Sequence, residues 1–154
     1  MSALPSILFV CLGNICRSPL AEGALRAAAG EAGVAVQIDS AGTGNWHVGN
    51  PPDPRAIGIA RQHGVEISGL RARQVVQADF TSFTHIFALD GENLHHLLQL
   101  APDDTSAEIA LLLDMVPGRE GQAVADPYYG GAEGFARTWA DVTAAAEALV
   151  DRFR

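Results

Sequence analysis

Hydrophobic and polar positions along the chain alternate between two rhythms. Short apolar runs at Ile7–Cys11 (ILFVC), Val34–Asp39, Thr84–Leu89 and Ile109–Leu113 are bounded by Gly, Pro, Asp or Ser. This is the pattern of buried strands. Between them lie segments of helical period. Pro19 to about Ala32 (PLAEGALRAAAGEA) predicts a helix with Ser18 as N-cap and Pro19 at the first helical position. Arg55–His63 reads as a helix stopped by Gly64, and Glu92–Leu100 as one that ends before Pro102. A last helix runs from about Glu133 to Phe153 with apolar or small residues on one face. The stretches SAGTGNWHVGNPPDP and the Gly/Pro-rich approach to DPYYGG read as loops.

Strands separated by helices in this order predict an α/β fold. The expected form is a single domain over residues 1–154, a doubly wound sheet of four parallel strands with helices on both faces. Crossovers should be right-handed. A ligand then belongs at the C-terminal ends of the strands, at a topological switch point. Cys11 ends the first strand, where that rule puts a site.

Composition narrows the function classes. The 154 residues, 48 % hydrophobic and only 6 % aromatic, are enough for one core. Apolar runs fall far short of a bilayer span, and MSALPSILFV has no basic leader region. No membrane association and a cytoplasmic location are expected. The formal charge is −8, from 10 basic and 18 acidic residues, which argues against a nucleic-acid partner. A monomer is the default for a small acidic domain.

Every basic residue is arginine, so lysine Schiff-base chemistry and a Walker-type lysine are excluded, and an anion site must use Arg or backbone N–H groups. The lysine-free, Ala- and Arg-rich composition points to a bacterial source. The two cysteines, Cys11 and Cys16, lie together without a second pair, and no histidine has ligand spacing to them. Neither a disulfide framework nor a zinc site follows, and no metal or cofactor is expected.

The opening motif, C-L-G-N-I-C-R-S-P at Cys11–Pro19, joins a strand to a helix start. Helix N-termini present unpaired N–H groups and a positive dipole end. Gly13 and Asn14 are residue types that tolerate positive φ, which turns successive N–H groups inward into a nest. Arg17 adds a planar fork for two phosphate oxygens. A thiol at the floor of such a cradle, Cys11, is favoured as thiolate by these surroundings, and the Ser18 hydroxyl can donate to it. The pattern points to nucleophilic attack on phosphorus through cysteine. A lone buried cysteine is more often a core thiol, but here the thiol comes with the loop, the arginine and the helix start. Cys16 either fills space or forms a reversible disulfide with Cys11 under oxidant.

These residues resemble the low-molecular-weight protein tyrosine phosphatases. The resemblance rests on V-C-L-G-N-I-C-R-S-P at Val10–Pro19 and D-P-Y-Y at Asp126–Tyr129. DSAGT at Asp39–Thr43, VGNPPDPRA at Val48–Ala56 and ARQV at Ala72–Val75 lie between, and the match covers essentially the whole chain. It implies Cys11 as the nucleophile that becomes a cysteinyl-phosphate. Arg17 and the backbone N–H groups of Leu12, Gly13, Asn14, Ile15 and Cys16 would bind the phosphoryl oxygens. Asn14 would hold the loop in its strained shape and Ser18 would stabilise the thiolate. Asp126 would serve as general acid, then as base for water.

Trp46, Tyr128 and Tyr129 would wall a cleft for an aromatic substrate, although the tyrosines could equally be packing residues. Asp39 and Asp90 are expected to orient loop donors or to close sheet-end turns. The histidines receive no catalytic role. Many family members carry a histidine where this chain has Leu70, so a contact to the loop asparagine would be missing, with Arg71 or a water as substitutes. The implied substrate is a phosphotyrosine-containing protein, with a cognate tyrosine kinase as a further partner. That kinase could in turn phosphorylate Tyr128 and Tyr129.

Rival functions remain. Arsenate reductases share the opening motif but relay electrons through later cysteines, which this chain lacks after Cys16. Bacterial protein arginine phosphatases typically place threonine at Ile15 and DPF at the DPYY position. A non-catalytic phosphotyrosine-binding module would be expected to lose Cys11, Arg17 or Asp126.

Overall fold

The computed structural model describes residues 4–154. The leaderless reading of the N-terminus falls in part on residues 1–3, outside the described residues. Four strands, β1 (Ser6–Cys11), β2 (Gln37–Gly42), β3 (His85–Ala88) and β4 (Glu108–Leu111), form one parallel sheet in the order β2-β1-β3-β4. Five helices connect and flank them: α1 (Arg17–Ala32), α2 (Pro54–Gln62), α3 (Asp79–Ser82), α4 (Gly91–Leu100) and α5 (Ala132–Phe153). A 3-10 turn, Leu112–Met115, follows β4. None of the described helices is long and apolar enough to cross a membrane.

Alternation along β1 assigns the two faces. Ile7, Phe9 and Cys11 point into a core shared with α1, α2 and α5, built on Leu20, Leu25, Trp139 and Leu149. Leu8 and Val10 point into a smaller core with Phe80 of α3 and Leu97 of α4. An apolar run from Ile7 to Cys11 between two helical layers is what burial on both faces demands. The sheet is doubly wound as expected. Its switch point lies between β1 and β3, whose C-terminal ends carry Cys11 and, just beyond, Asp90.

Two expected features are corrected. Helix α1 begins at Arg17, with Cys16 at the cap position and no side-chain cap; Ser18 is inside the helix and Pro19 follows it. The Ser18 hydroxyl is engaged with Cys11 and Asn14 instead. Strand β2 lies three residues further along than Val34–Asp39, in register with β1 from Ser6↔Gln37 to Cys11↔Gly42. Val34 and Val36 are apolar for another reason. Gly33 takes a left-handed conformation (φ 70°), the Val34 N–H bonds Ala29, and both valines close the end of α1 onto the core.

Candidate active site

Each end of the loop from Leu12 to Cys16 is fixed by backbone. The Cys11 and Leu12 carbonyls accept from Thr43 and Gly44 N–H (both 2.9 Å), and the Ile15 carbonyl from Asp53 N–H (2.8 Å). Gly42 must be glycine for this approach, since a Cβ there would lie 2.7 Å from the Leu12 carbonyl oxygen. Asn14 has φ 57°, and among the described residues it is the one non-glycine with positive φ. Its side chain holds that conformation. Nδ2 donates to Ser18 Oγ (2.8 Å) and Ser40 Oγ (3.0 Å), while Oδ1 accepts from the Arg73 N–H (3.0 Å).

Leu70 is partly buried against the main core and Arg71 bonds the Ser68 and Leu70 carbonyls, so neither substitutes for the family histidine. The Asn14 amide is satisfied without them. Ser40 passes the chain to Glu22 (2.8 Å), which pairs with Arg26. Asp39 pairs with Arg73 (3.1 Å), which also pairs with Asp79.

Cys11 Sγ is buried on the loop floor. It accepts from the Asn14 N–H (3.3 Å) and lies 3.0 Å from Ser18 Oγ. Because Asn14 Nδ2 donates to Ser18 Oγ, the serine proton is free for the sulfur. Arg17, only 3 % exposed, has one guanidinium nitrogen held by Asp90 Oδ2 (2.6 Å) and the Val124 carbonyl (3.0 Å). Its second terminal nitrogen faces Asp126 Oδ2 at 3.6 Å. Burial works against the Arg17 charge, but Cys11, Asp90 and Asp126 outweigh it and hold the guanidinium above its ordinary pKa.

Burial, then the charges of Asp53, Cys11 and Asp126, push the Cys16 thiol far above its usual range.

These groups open into one pocket of about 280 Å³. Cys11, Leu12, Gly13, Ile15, Cys16 and Arg17 form its floor, and Trp46, Asp126, Tyr128 and Tyr129 its walls. Asn14 and Ser18 lie beneath the floor rather than lining it. Trp46 is 69 % exposed and Tyr129 96 %. The two tyrosine rings meet edge to face at 4.9 Å.

The Asp126 loop is tethered by Arg55, which donates to the Tyr128 carbonyl (2.9 Å) and pairs with Asp53 (3.0 Å). Sequence reasoning assigned Arg55 no task. It also left out His47, which lines the pocket beside Trp46. Adjacency to a wall residue was the available signal for His47; for Arg55 it was the DPR sequence after a loop. Among the described residues no cluster of three or more His, Cys, Asp or Glu is gathered for a metal.

The model for low molecular weight phosphotyrosine protein phosphatase matches residues 6–154. This chain belongs to that family. A Schizosaccharomyces pombe protein described as a low molecular weight phosphotyrosine protein phosphatase is 43 % identical over 132 residues, 84 % of each chain. The crystal structure of YfkJ from Bacillus subtilis superposes with a TM-score of 0.90 at 38 % identity, over 98 % of this chain and 95 % of that one. A Drosophila arginine phosphatase also superposes at 0.90, with 31 % identity over 96 % and 97 % of the two chains. Family membership accounts for the α/β architecture and for a phosphoric monoester hydrolase.

Proposed function

We propose that the chain hydrolyses phosphotyrosine in proteins through a cysteinyl-phosphate. The observation that carries this reading is the convergence of a buried thiol, a buried arginine and a carboxylate on one pocket walled by aromatic rings. The Cys11 thiolate attacks phosphorus, an S–P bond forms and the P–O bond to the phenol breaks. Arg17 and the loop N–H groups hold the equatorial oxygens, where charge is stabilised electrostatically. Asp126 gives its proton to the leaving phenolate. In the second step Asp126 takes a proton from water, which attacks phosphorus and frees phosphate and thiolate. Ser18 steadies the thiolate in both states. The two steps need opposite states of Asp126 and a thiolate, so activity follows a bell-shaped pH profile with an acidic optimum.

Trp46, Tyr128 and Tyr129 provide apolar walls for a phenyl ring, and Ile15 leaves the floor without a hydroxyl that would favour a guanidino group. The acting unit in this reading is a monomer of the whole 1–154 domain, since each group comes from one chain. Its partners are cytoplasmic phosphotyrosine proteins and a cognate tyrosine kinase. The test is phosphate release from matched phosphotyrosine and phosphoarginine peptides without added metal, with Cys11→Ser as control. Cys11-dependent release from phosphotyrosine is expected. Release from phosphoarginine alone would make the arginine phosphatase neighbour the better guide.

A further inference from the structure

A second hollow of about 240 Å³ adjoins the pocket, lined by Leu12, Thr43, Gly44, Trp46, His96, Gln99 and Leu100. It lies between the loop after β2 and the C-terminal turn of α4. Leu12 and Trp46 line both hollows, so the two are separated by one layer of side chains. Leu12 (41 % exposed), Trp46 and Leu100 (43 %) leave apolar surface open on its walls. Gly44 sets the partition: a Cβ there would fall 1.9 Å from the Trp46 ring.

Resting on the phosphatase reading above, we infer that this hollow receives an apolar side chain of the same phosphopeptide, two residues from the phosphotyrosine. Spacing supports that choice. Two groups touching opposite sides of one side-chain layer are roughly 7–8 Å apart, from two carbon contacts of about 3.5–4 Å. In an extended peptide, side chains two residues apart share a face and are separated by about 6.6 Å. Adjacent residues point to opposite faces and cannot fill both hollows. The walls of Leu12, Trp46 and Leu100 select an apolar side chain, since a carboxylate placed against them would lose hydration.

The experiment measures kcat/KM for phosphotyrosine peptides carrying Leu, Ala or Glu at positions −2 and +2, and for p-nitrophenyl phosphate, with wild type and Leu100→Glu. Leu100 is exposed at a helix end and lies outside the catalytic pocket, so the variant should fold. Wild type should prefer Leu over Ala by about fivefold at one of the two positions, as partial burial of a leucine gives. Leu100→Glu should erase that preference and keep p-nitrophenyl phosphate turnover within about twofold. A flat wild-type profile, or a preference that survives Leu100→Glu, overturns the inference while leaving the phosphatase reading intact. No wild-type turnover of p-nitrophenyl phosphate would overturn that reading, and the inference with it.

Discussion

Ser18 Oγ lies 3.0 Å from Cys11 Sγ, and Asn14 Nδ2 occupies its acceptor side at 2.8 Å. The amide nitrogen can only donate, so the hydroxyl proton is steered to the sulfur. Helix α1 begins without a side-chain cap because Cys16 stands at the cap position, while Ser18, inside the first turn, is committed to the nucleophile.

Ser18→Ala removes one hydrogen bond to a charged group, worth about 1.5–3 kcal/mol. The expected loss in kcat is about 10- to 150-fold, with KM little changed. The rate of iodoacetate alkylation at pH 6 should fall with it, because thiolate is the reacting form. Equal alkylation rates in wild type and variant would show that the serine does not act on the sulfur.

Asp126→Asn tests the acid. For phosphotyrosine, whose leaving phenol has a pKa near 10, kcat should drop by about 10²–10⁴. For aryl phosphates with strongly acidic phenols the drop should shrink, since the leaving group needs less protonation. A loss independent of leaving-group acidity would deny Asp126 this role.

Asp90 shows how much of the site the sequence disclosed. The Cys11-to-Pro19 loop, Asp126 and the aromatic walls were visible as local motifs. The residues that hold them were only partly so: Asp39 and Asp90 are legible as acids that orient loop donors, but their partners are not, and Arg73 and Ser40 carry no local signal, because the contacts join positions distant in the chain. Asp90 joins α4 to Arg17 across 73 positions, Arg73 reaches Asn14 across 59, and Ser40 across 26. Strand β2 was misplaced for a related reason. Val34 and Val36 look like a strand but close a helix end, while the small residues Ser40, Ala41 and Gly42 form the pairing strand so that the loop can pass close above.

One Asp90 carboxylate oxygen caps α4 through the Asn93 N–H (2.8 Å), and the other pairs with Arg17. Asp90→Ala therefore removes a cap and leaves a buried guanidinium short of its shortest contact. Breaking a fully buried pair costs about 3–5 kcal/mol. The Asp90 side chain is 23 % exposed, which puts the expected loss near the lower end, about 3 kcal/mol including the cap. Urea unfolding measures it. Asp90→Asn keeps an N-cap oxygen and should recover part of the stability but not the turnover.

Gly44→Ala places a methyl where the Trp46 ring now lies. The ring is exposed and can swing away, so stability should change by less than about 1 kcal/mol. The wall of the pocket should be lost. The expected outcome is a several-fold rise in KM for aryl phosphates, nearly unchanged kcat, and a shift in Trp46 fluorescence. An unchanged KM would remove Trp46 from substrate binding.

His85 gives the fold a pH dependence separate from catalysis. Its ring packs on Phe87 and Phe153, with Thr84 at Nδ1 (2.8 Å) and Glu108 at Nε2 (3.2 Å). Burial lowers its pKa, and the neighbouring Glu108 only partly offsets this. Between that lowered value and the ordinary value of about 6.5, the unfolded chain binds more protons than the folded one. This contribution to stability is thus present above about pH 6.5 and is lost as pH falls toward the folded-state value. Urea midpoints of wild type should decline over this window, and those of His85→Leu should decline less steeply. Parallel slopes for the two proteins would show that His85 does not govern this window.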